Sequence, residues 1–474
     1  MRALYSKGGN LSAGTKSFLK LAPLFLAMVI LGAALAFYAD SPLLVIPFLG
    51  ALALTSFAAL DYALYLLIAF LPFSFRFIFA YGTEMQVPTE PLLAVMALAL
   101  VLRRFVIGRG NLEIKFPFRY PLSLYAVSLW LSMINTGRLY SSAKGSLRAI
   151  AYMSLAFVVF NVITDRRRLK WLFIAAIVPA VVAVGWTVIF LADRLEVWSS
   201  SSAYTGLLFT SYSHYGAFVA VILLILLGRS IFDRGTYDRV IWTILLGIFS
   251  IGICFSFSRG VWLSFIAAAG FMLLQRTEGT QNRKILIIGG AVALLLFLLN
   301  MPHISGLITT RVSTIFSFGY GANKERLLRW GTAVVMFLRH PILGCGYGTF
   351  AFTFVNDPAR IGTHLAQYKM GAHNEYLQAL AETGLIGFSA WMWMIISFFR
   401  YGFRLVSRCS TLESRGSFYR SIIIGVMAAE LSLLVHFLVN NLIQADIVGV
   451  PFWLLMGLLP AIGNIVEKDL RHKT

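Results

Sequence analysis

Apolar residues in this chain come in long unbroken runs, not at the three- and four-residue spacing of a soluble helix, and short polar stretches rich in Gly, Pro, Lys and Arg separate them. Runs of roughly 17 to 25 residues are enough to cross a hydrocarbon core about 30 Å thick as a helix, and strands do not explain runs that long. Spans are predicted at 21–38, 43–60, 62–80, 91–102, 121–134, 148–163, 171–191 and 215–227. The series continues at 240–257, 261–274, 285–299, 376–399, 421–439 and 447–465. The expected fold class is therefore all-α, a polytopic transmembrane bundle of about 12–14 helices. No internal repeat is visible and no polar segment is long enough to fold alone, so residues 1–474 read as a single integral membrane domain.

Composition agrees, because 59% of residues are hydrophobic and 13% charged, against about 25% charged in a soluble domain. The principal partner expected is the lipid bilayer. A formal net charge of +20 raises the question of nucleic acid. The basic residues, however, sit in short clusters between apolar runs, where orientation signals belong, and no nucleic acid is expected. Cys254, Cys345 and Cys409 share no close spacing and indicate neither a disulfide framework nor a zinc site. Arg2, Lys7, Lys16 and Lys20 precede an apolar run as in a signal peptide, but further runs follow, so this run is read as the first transmembrane helix.

Orientation follows from the basic clusters. Those at Arg103–Arg119, Arg166–Lys170, Arg229–Arg239, Arg276–Lys284 and Arg400–Arg420 fall on alternate loops, which puts them and both termini on the cytoplasmic side. The opposite face receives the Trp198–Ser202 stretch and one long loop from about residue 300 to 372, the sizeable hydrophilic segment of the sequence. Chemistry outside the bilayer has room there.

That loop carries Arg311, Arg326, Arg329, Arg339, Arg360 and Lys369, which call for an anionic partner or for anionic headgroups. Arg259, in Ser256-Phe257-Ser258-Arg259-Gly260-Val261-Trp262, is placed at a tight turn between two apolar helices. Its guanidinium fork matches phosphate oxygens, the competing reading being a cap on the preceding helix. Residues 324–338 read as an amphipathic helix in the headgroup layer, halted by Pro341, with Arg326 and Arg329 on one face and Trp330, Val334 and Met336 suited to the interface. His340-Pro341-Ile342-Leu343-Gly344-Cys345-Gly346-Tyr347-Gly348 follows, its glycines allowing close approach to a ligand or another helix. His373-Asn374-Glu375-Tyr376-Leu377 then re-enters the membrane. His373 is a candidate general base, a hydrogen-bonded structural histidine being the alternative.

In order and spacing, these four segments resemble the O-antigen ligase and polymerase family, over roughly residues 240 to 400. The resemblance implies a GT-C-like fold in a bacterial cytoplasmic (inner) membrane. It implies transfer of a glycan from undecaprenyl diphosphate to an acceptor hydroxyl on the periplasmic face, without cofactor, metal or nucleotide sugar. Arg259 and Arg326 look like the family's diphosphate-binding arginines and His373 like its catalytic histidine; Arg329 joins them only by sharing the helical face of Arg326. Fixed guanidinium groups stabilise a departing diphosphate where a metal otherwise does, and a neutral histidine takes the acceptor proton as in-line attack inverts the anomeric centre.

Supporting candidates are Glu430, deep in an apolar run, which either functions or pairs with a basic residue; Asp446, beside Asn440 and Asn441, as the group that orients His373; and Arg76, near the outer end of its helix. The acceptor is a lipid core for a ligase and another lipid-linked repeat unit for a polymerase. The ligase reading is preferred because Arg259, Arg326 and His373 all find a place in its pattern. A transporter of lipid-linked sugar or solute predicts repeat halves and mid-membrane polar groups, and a scaffold for polysaccharide assembly tolerates loss of His373.

Overall fold

A computed structural model describes residues 42–78, 84–105, 115–192, 209, 211–232, 239–275, 321–356 and 370–471. The predicted spans at 21–38 and 285–299, the 198–202 stretch, and Arg311, Arg360 and Lys369 lie outside the described residues. The helices are α1 (Pro42–Ala58), α2 (Leu60–Phe70), α3 (Thr89–Phe105), α4 (Arg119–Leu131), α5 (Leu139–Val162), α6 (Arg166–Ala192) and α7 (Tyr212–Phe232). They continue as α8 (Arg239–Cys254), α9 (Arg259–Leu274), α10 (Gly321–Arg339), α11 (Phe350–Val355), α12 (Glu375–Cys409), α13 (Glu413–His436) and α14 (Asp446–Arg471).

Among the described residues, six helices are long and apolar enough to cross a membrane: α5, α6, α7, α12, the Gly416–His436 part of α13, and α14. The chain is an all-α, multi-pass membrane bundle. One predicted span needs correction. The 62–80 run is helical only as far as Phe70, and after a short 3-10 turn at Leu71–Phe73 the chain forms strand β1 (Phe75–Ile78), antiparallel to β2 (Glu84–Val87). Pro72 removes a backbone donor, and Phe75-Arg76-Phe77-Ile78 is a short aromatic and β-branched stretch. Arg76 thus stands opposite Gln86 in a hairpin strand and not at a helix end.

The core gathers around α7 and α13, which pack together, with α9 on α13, α14 on α5 and α12 on α4. Side chains such as Val178, Val182 and Ile189 of α6 and Trp393, Ile396 and Phe403 of α12 point outward, as expected of surfaces that face lipid. With lipid as solvent, apolar burial drives helix association weakly, and close backbone packing replaces it. Gly228 of α7 meets Gly425 of α13, where an added Cβ would lie 2.8 Å from the Gly425 Cα. Gly457 of α14 sits on α5 so closely that a Cβ would fall 2.3 Å from the Ala156 carbonyl oxygen.

Gly457→Val is therefore expected to lower the detergent-solubilised Tm by the equivalent of about 1–3 kcal/mol. Gly247→Val, where a Cβ meets nothing within 4 Å, should move it far less. Equal shifts in a thermal-unfolding measurement would refute the close-packing account of the α5 and α14 contact.

Candidate active site

The turn between α8 and α9 is built by its serines. Ser256 Oγ donates to the Ile253 carbonyl at 2.7 Å and closes α8; Phe257 takes a positive φ of 46°; and Ser258 caps α9, accepting from the Val261 amide at 3.5 Å. Arg259 is consequently the first residue of α9, with its side chain leaving the helix where backbone N–H groups point outward.

Arg326 lies one turn into α10, half-buried. Arg259 is close enough to act on it electrostatically, and burial first, then Arg259, favours its neutral form and pushes its pKa down. Tyr212 and Glu325 oppose that shift. Among the described residues no carboxylate forms an ion pair with Arg326. Two guanidinium groups brought this close favour an anion between them.

Arg329, expected to share the phosphate-binding role, is placed differently from Arg326. It is 0% exposed. Its Nε and Nη2 donate to Glu325 at 3.0 and 2.5 Å, its Nη1 donates to the carbonyls of Met370 and Gly371 at 3.1 and 3.3 Å, and its face stacks over Phe354. The guanidinium fork is committed to the chain two residues before His373. Met336 also faces inward, against Phe350, Phe354 and Ala381, while Val334 remains exposed. α10 is amphipathic, but part of its apolar face is core.

His373 sits in a left-handed backbone conformation, φ 55°, which costs a non-glycine residue about 1–2 kcal/mol. It is held there from both sides. Ala372 N–H donates to Gln378 Oε1 at 3.0 Å, Asn374 Nδ2 donates to the Leu438 carbonyl at 3.0 Å, and Glu375 N–H donates to the Phe437 carbonyl at 2.8 Å. Asn374 also caps α12 through Leu377 N–H at 2.9 Å. Burial, then the charges of Arg326 and Arg329, push the His373 imidazole down to about 4, with Glu325 and a hydrogen bond that the ring donates to Asn440 opposing. The free protein thus holds this histidine neutral near pH 7.

Beside it, the Asn440 side chain hydrogen-bonds His436 Nε2 at 2.9 Å. A Cβ at Gly260 would lie 2.9 Å from that ring, so the residue after Arg259 is small where the histidine approaches. His214, bonded to Ser211 Oγ, and Arg326 lie within electrostatic reach of His436. The structure therefore brings Arg259, Arg326 and His373 into one cluster with Tyr212, His214, His436 and Asn440, from α7, α9, α10 and the segments around α12 and α13.

One supporting expectation is corrected. Asp446 does not orient His373; it accepts from Arg148 Nη2 at 2.9 Å and from the hydroxyls of Tyr152 and Thr89, because the start of α14 faces α3 and α5. Its neighbour Asn440 is the residue that reaches His373. Glu430 pairs with no basic residue among the described ones: it is 0% exposed and neither carboxylate oxygen has a hydrogen-bond partner.

The glycine-rich stretch packs closely against α12. Gly344 and Gly384, both at positive φ, meet backbone to backbone. Cys345 and Gly346 donate to the carbonyls of Ala381 and Glu382, each at 3.1 Å. The buried Glu382 carboxylate accepts from the Gly348 and Phe350 amides, each at 2.9 Å. The sequence reading passed over Glu382; an acidic residue inside an otherwise apolar helix was the available signal.

Residues 244–392 match the model of a family described as O-antigen ligase. That segment is similar to this family over less than half of the chain. It contains Arg259, Arg326, Arg329, His373 and Glu382, whereas His436, Asn440 and Asp446 come from beyond it. A search of curated proteins finds no match.

Arg329→Ala should destabilise the protein by about 3 kcal/mol, since it orphans Glu325 and two backbone carbonyls. Arg326→Ala should leave Tm nearly unchanged. Thermal unfolding of both variants decides the point, and the reverse order would restore Arg329 as a ligand-facing group.

Proposed function

We propose that this protein is a membrane glycosyltransferase that moves a glycan from undecaprenyl diphosphate to an acceptor hydroxyl, O-antigen ligase style. His373 acts as general base, and Arg259 and Arg326 hold the diphosphate. The meeting of these three side chains from separate segments, within the family-matched stretch, carries the reading. The acceptor oxygen attacks sugar C1 in line; the C1–O bond to the diphosphate breaks, its electron pair stays on the diphosphate oxygen between the arginines, and the acceptor proton goes to His373. The anomeric configuration inverts.

Donor and base are coupled in this scheme. An imidazole near 4 is a weak base, and a bound diphosphate offsets the arginine charges that depress it, so donor binding raises the basicity of His373 when a proton has to be taken. Asn440, buttressed by His436, orients the ring. Arg329 positions the loop.

The reaction belongs, on this reading, at the periplasmic face of a bacterial inner membrane. The first residues of α5, α9, α12 and α14 gather at the His373 end of the bundle. At the opposite end Arg166 pairs with Asp469 and Arg408 with Glu467 among many other basic residues, the end that the positive-inside rule makes cytoplasmic together with both termini. A repeat-unit polymerase uses the same chemistry on a lipid-linked acceptor.

Purified protein, lipid-linked donor and either a lipid-core acceptor or a second lipid-linked unit, with and without chelator, test the proposal. His373→Ala, folded, should lower turnover by about 10²–10⁴-fold. Arg326→Gln should raise the donor KM at least about tenfold. Transfer to the core acceptor marks a ligase and growth of the donor glycan a polymerase; undiminished turnover by His373→Ala removes the histidine mechanism.

The pH dependence has a defined sign. For free enzyme, kcat/KM should stay level from neutral pH down and fall only as pH drops through about 4, where the neutral base is lost. The limb in kcat, reporting the donor complex, should lie higher. Arg326→Gln should shift the kcat/KM limb upward, because it removes a charge that depresses the imidazole. A limb that stays put in that variant would separate Arg326 from the base.

A further inference from the structure

At the same end of the bundle, on the other side of the chain that joins α13 to α14, lies a cavity of about 360 Å³, within the usual size of a small-molecule site, about 300–1,000 Å³. One wall is a stripe on α5, with Tyr140, Lys144, Arg148 and Tyr152 at four-residue spacing; Tyr347 and Gln444 face it. The α13–α14 connection supplies Asn440 to His373 and Gln444 to this cavity, so one short segment links the two places.

The charge pattern excludes a second phosphate site. Arg148 pairs with Glu90 at 2.5 Å and with Asp446 at 2.9 Å, and Lys144 acts on Glu90. Two cations thus face two carboxylates, and the formal charge cancels. The wall also keeps hydrogen-bonding capacity in hand: Arg148 Nε is a buried N–H donor with no partner among the described residues, unfavourable unless an oxygen comes to meet it, and the Gln444 amide sits beside the Tyr347 phenol. Phenol rings, a charge-balanced set of side chains and an unpartnered donor suit a ligand with a flat C–H face and many neutral hydroxyl oxygens.

We infer that this cavity is a saccharide subsite that holds a neutral pyranose of the acceptor glycan through its ring face and its hydroxyls. The inference rests on the glycosyl-transfer reading for the word acceptor, and on the cavity alone for the word saccharide. The acceptor chain approaches from the α5 side, the donor diphosphate from the α9 and α10 side, and the segment 437–445 divides them.

The two parts are tested separately with the full chain in detergent. Saturation-transfer NMR with methyl glucoside, methyl galactoside and methyl mannoside should show saturable binding of at least one. Binding should weaken about tenfold in Tyr140→Ala and Lys144→Gln, survive in Tyr140→Phe, which keeps the ring, and be unchanged in Arg326→Gln and by added pyrophosphate. No saturable binding by the wild type, loss in Arg326→Gln, or competition by pyrophosphate would overturn the subsite. In the transfer assay Tyr140→Ala should raise the acceptor KM about tenfold with the donor KM unchanged; a rise in the donor KM instead would overturn the assignment to the acceptor. Wild-type protein that binds the glycosides but transfers nothing strikes the proposed reaction and leaves the sugar site standing.

Discussion

Arg329 has no solvent contact, and its guanidinium is held by Glu325 on one side and by the carbonyls of Met370 and Gly371 on the other. A buried cation left without these partners is prohibitive, so α10 and the chain before His373 adopt one relative position or neither is stable. The left-handed backbone at His373 follows from that tie on one side and from the α13–α14 segment on the other. Arg326, three residues before Arg329 on the same helix, is thereby aimed at the imidazole.

Glu382 does the corresponding work beneath. Its carboxylate satisfies two amides of the glycine-rich stretch, and the paired positive φ values of Gly344 and Gly384 let that stretch lie directly on the kink of α12. Both devices use a buried charge to bind backbone, which suits a membrane interior where unpaired amides and carbonyls have no water to turn to. The rigid base of the site is thus made of groups bonded to the chain's own backbone.

Two electrostatic environments then occur at one end of the bundle. Around His373 the arginines depress the imidazole; around Asp446 cations and carboxylates balance. The reaction proposed above asks for just such different surroundings, one for an anionic leaving group and one for a neutral hydroxylic acceptor, and the α13–α14 segment touches both places.

Hydrophobic run length determined the membrane bundle from the sequence alone, since an apolar segment of that length has no other stable solvent. It found most of the helices, though it missed the strand at 75–78, where Pro72 and a short alternating stretch end a run that stays largely apolar. Local chemistry also marked Arg259, Arg326 and His373, because a cation or a histidine at the edge of an apolar run is unusual wherever the fold puts it. What the sequence did not decide was which partner each polar group takes. Arg326 and Arg329 look alike on a helical wheel, yet one faces the histidine and the other is sealed against carbonyls; Asp446 and Asn440 lie six residues apart in sequence, yet the helix start turns the acid toward Arg148 and leaves the amide for His373. Hydrogen bonds are short-ranged and directional, so partners separated by tens or hundreds of residues are chosen only when the helices come together, and that choice belongs to the tertiary structure.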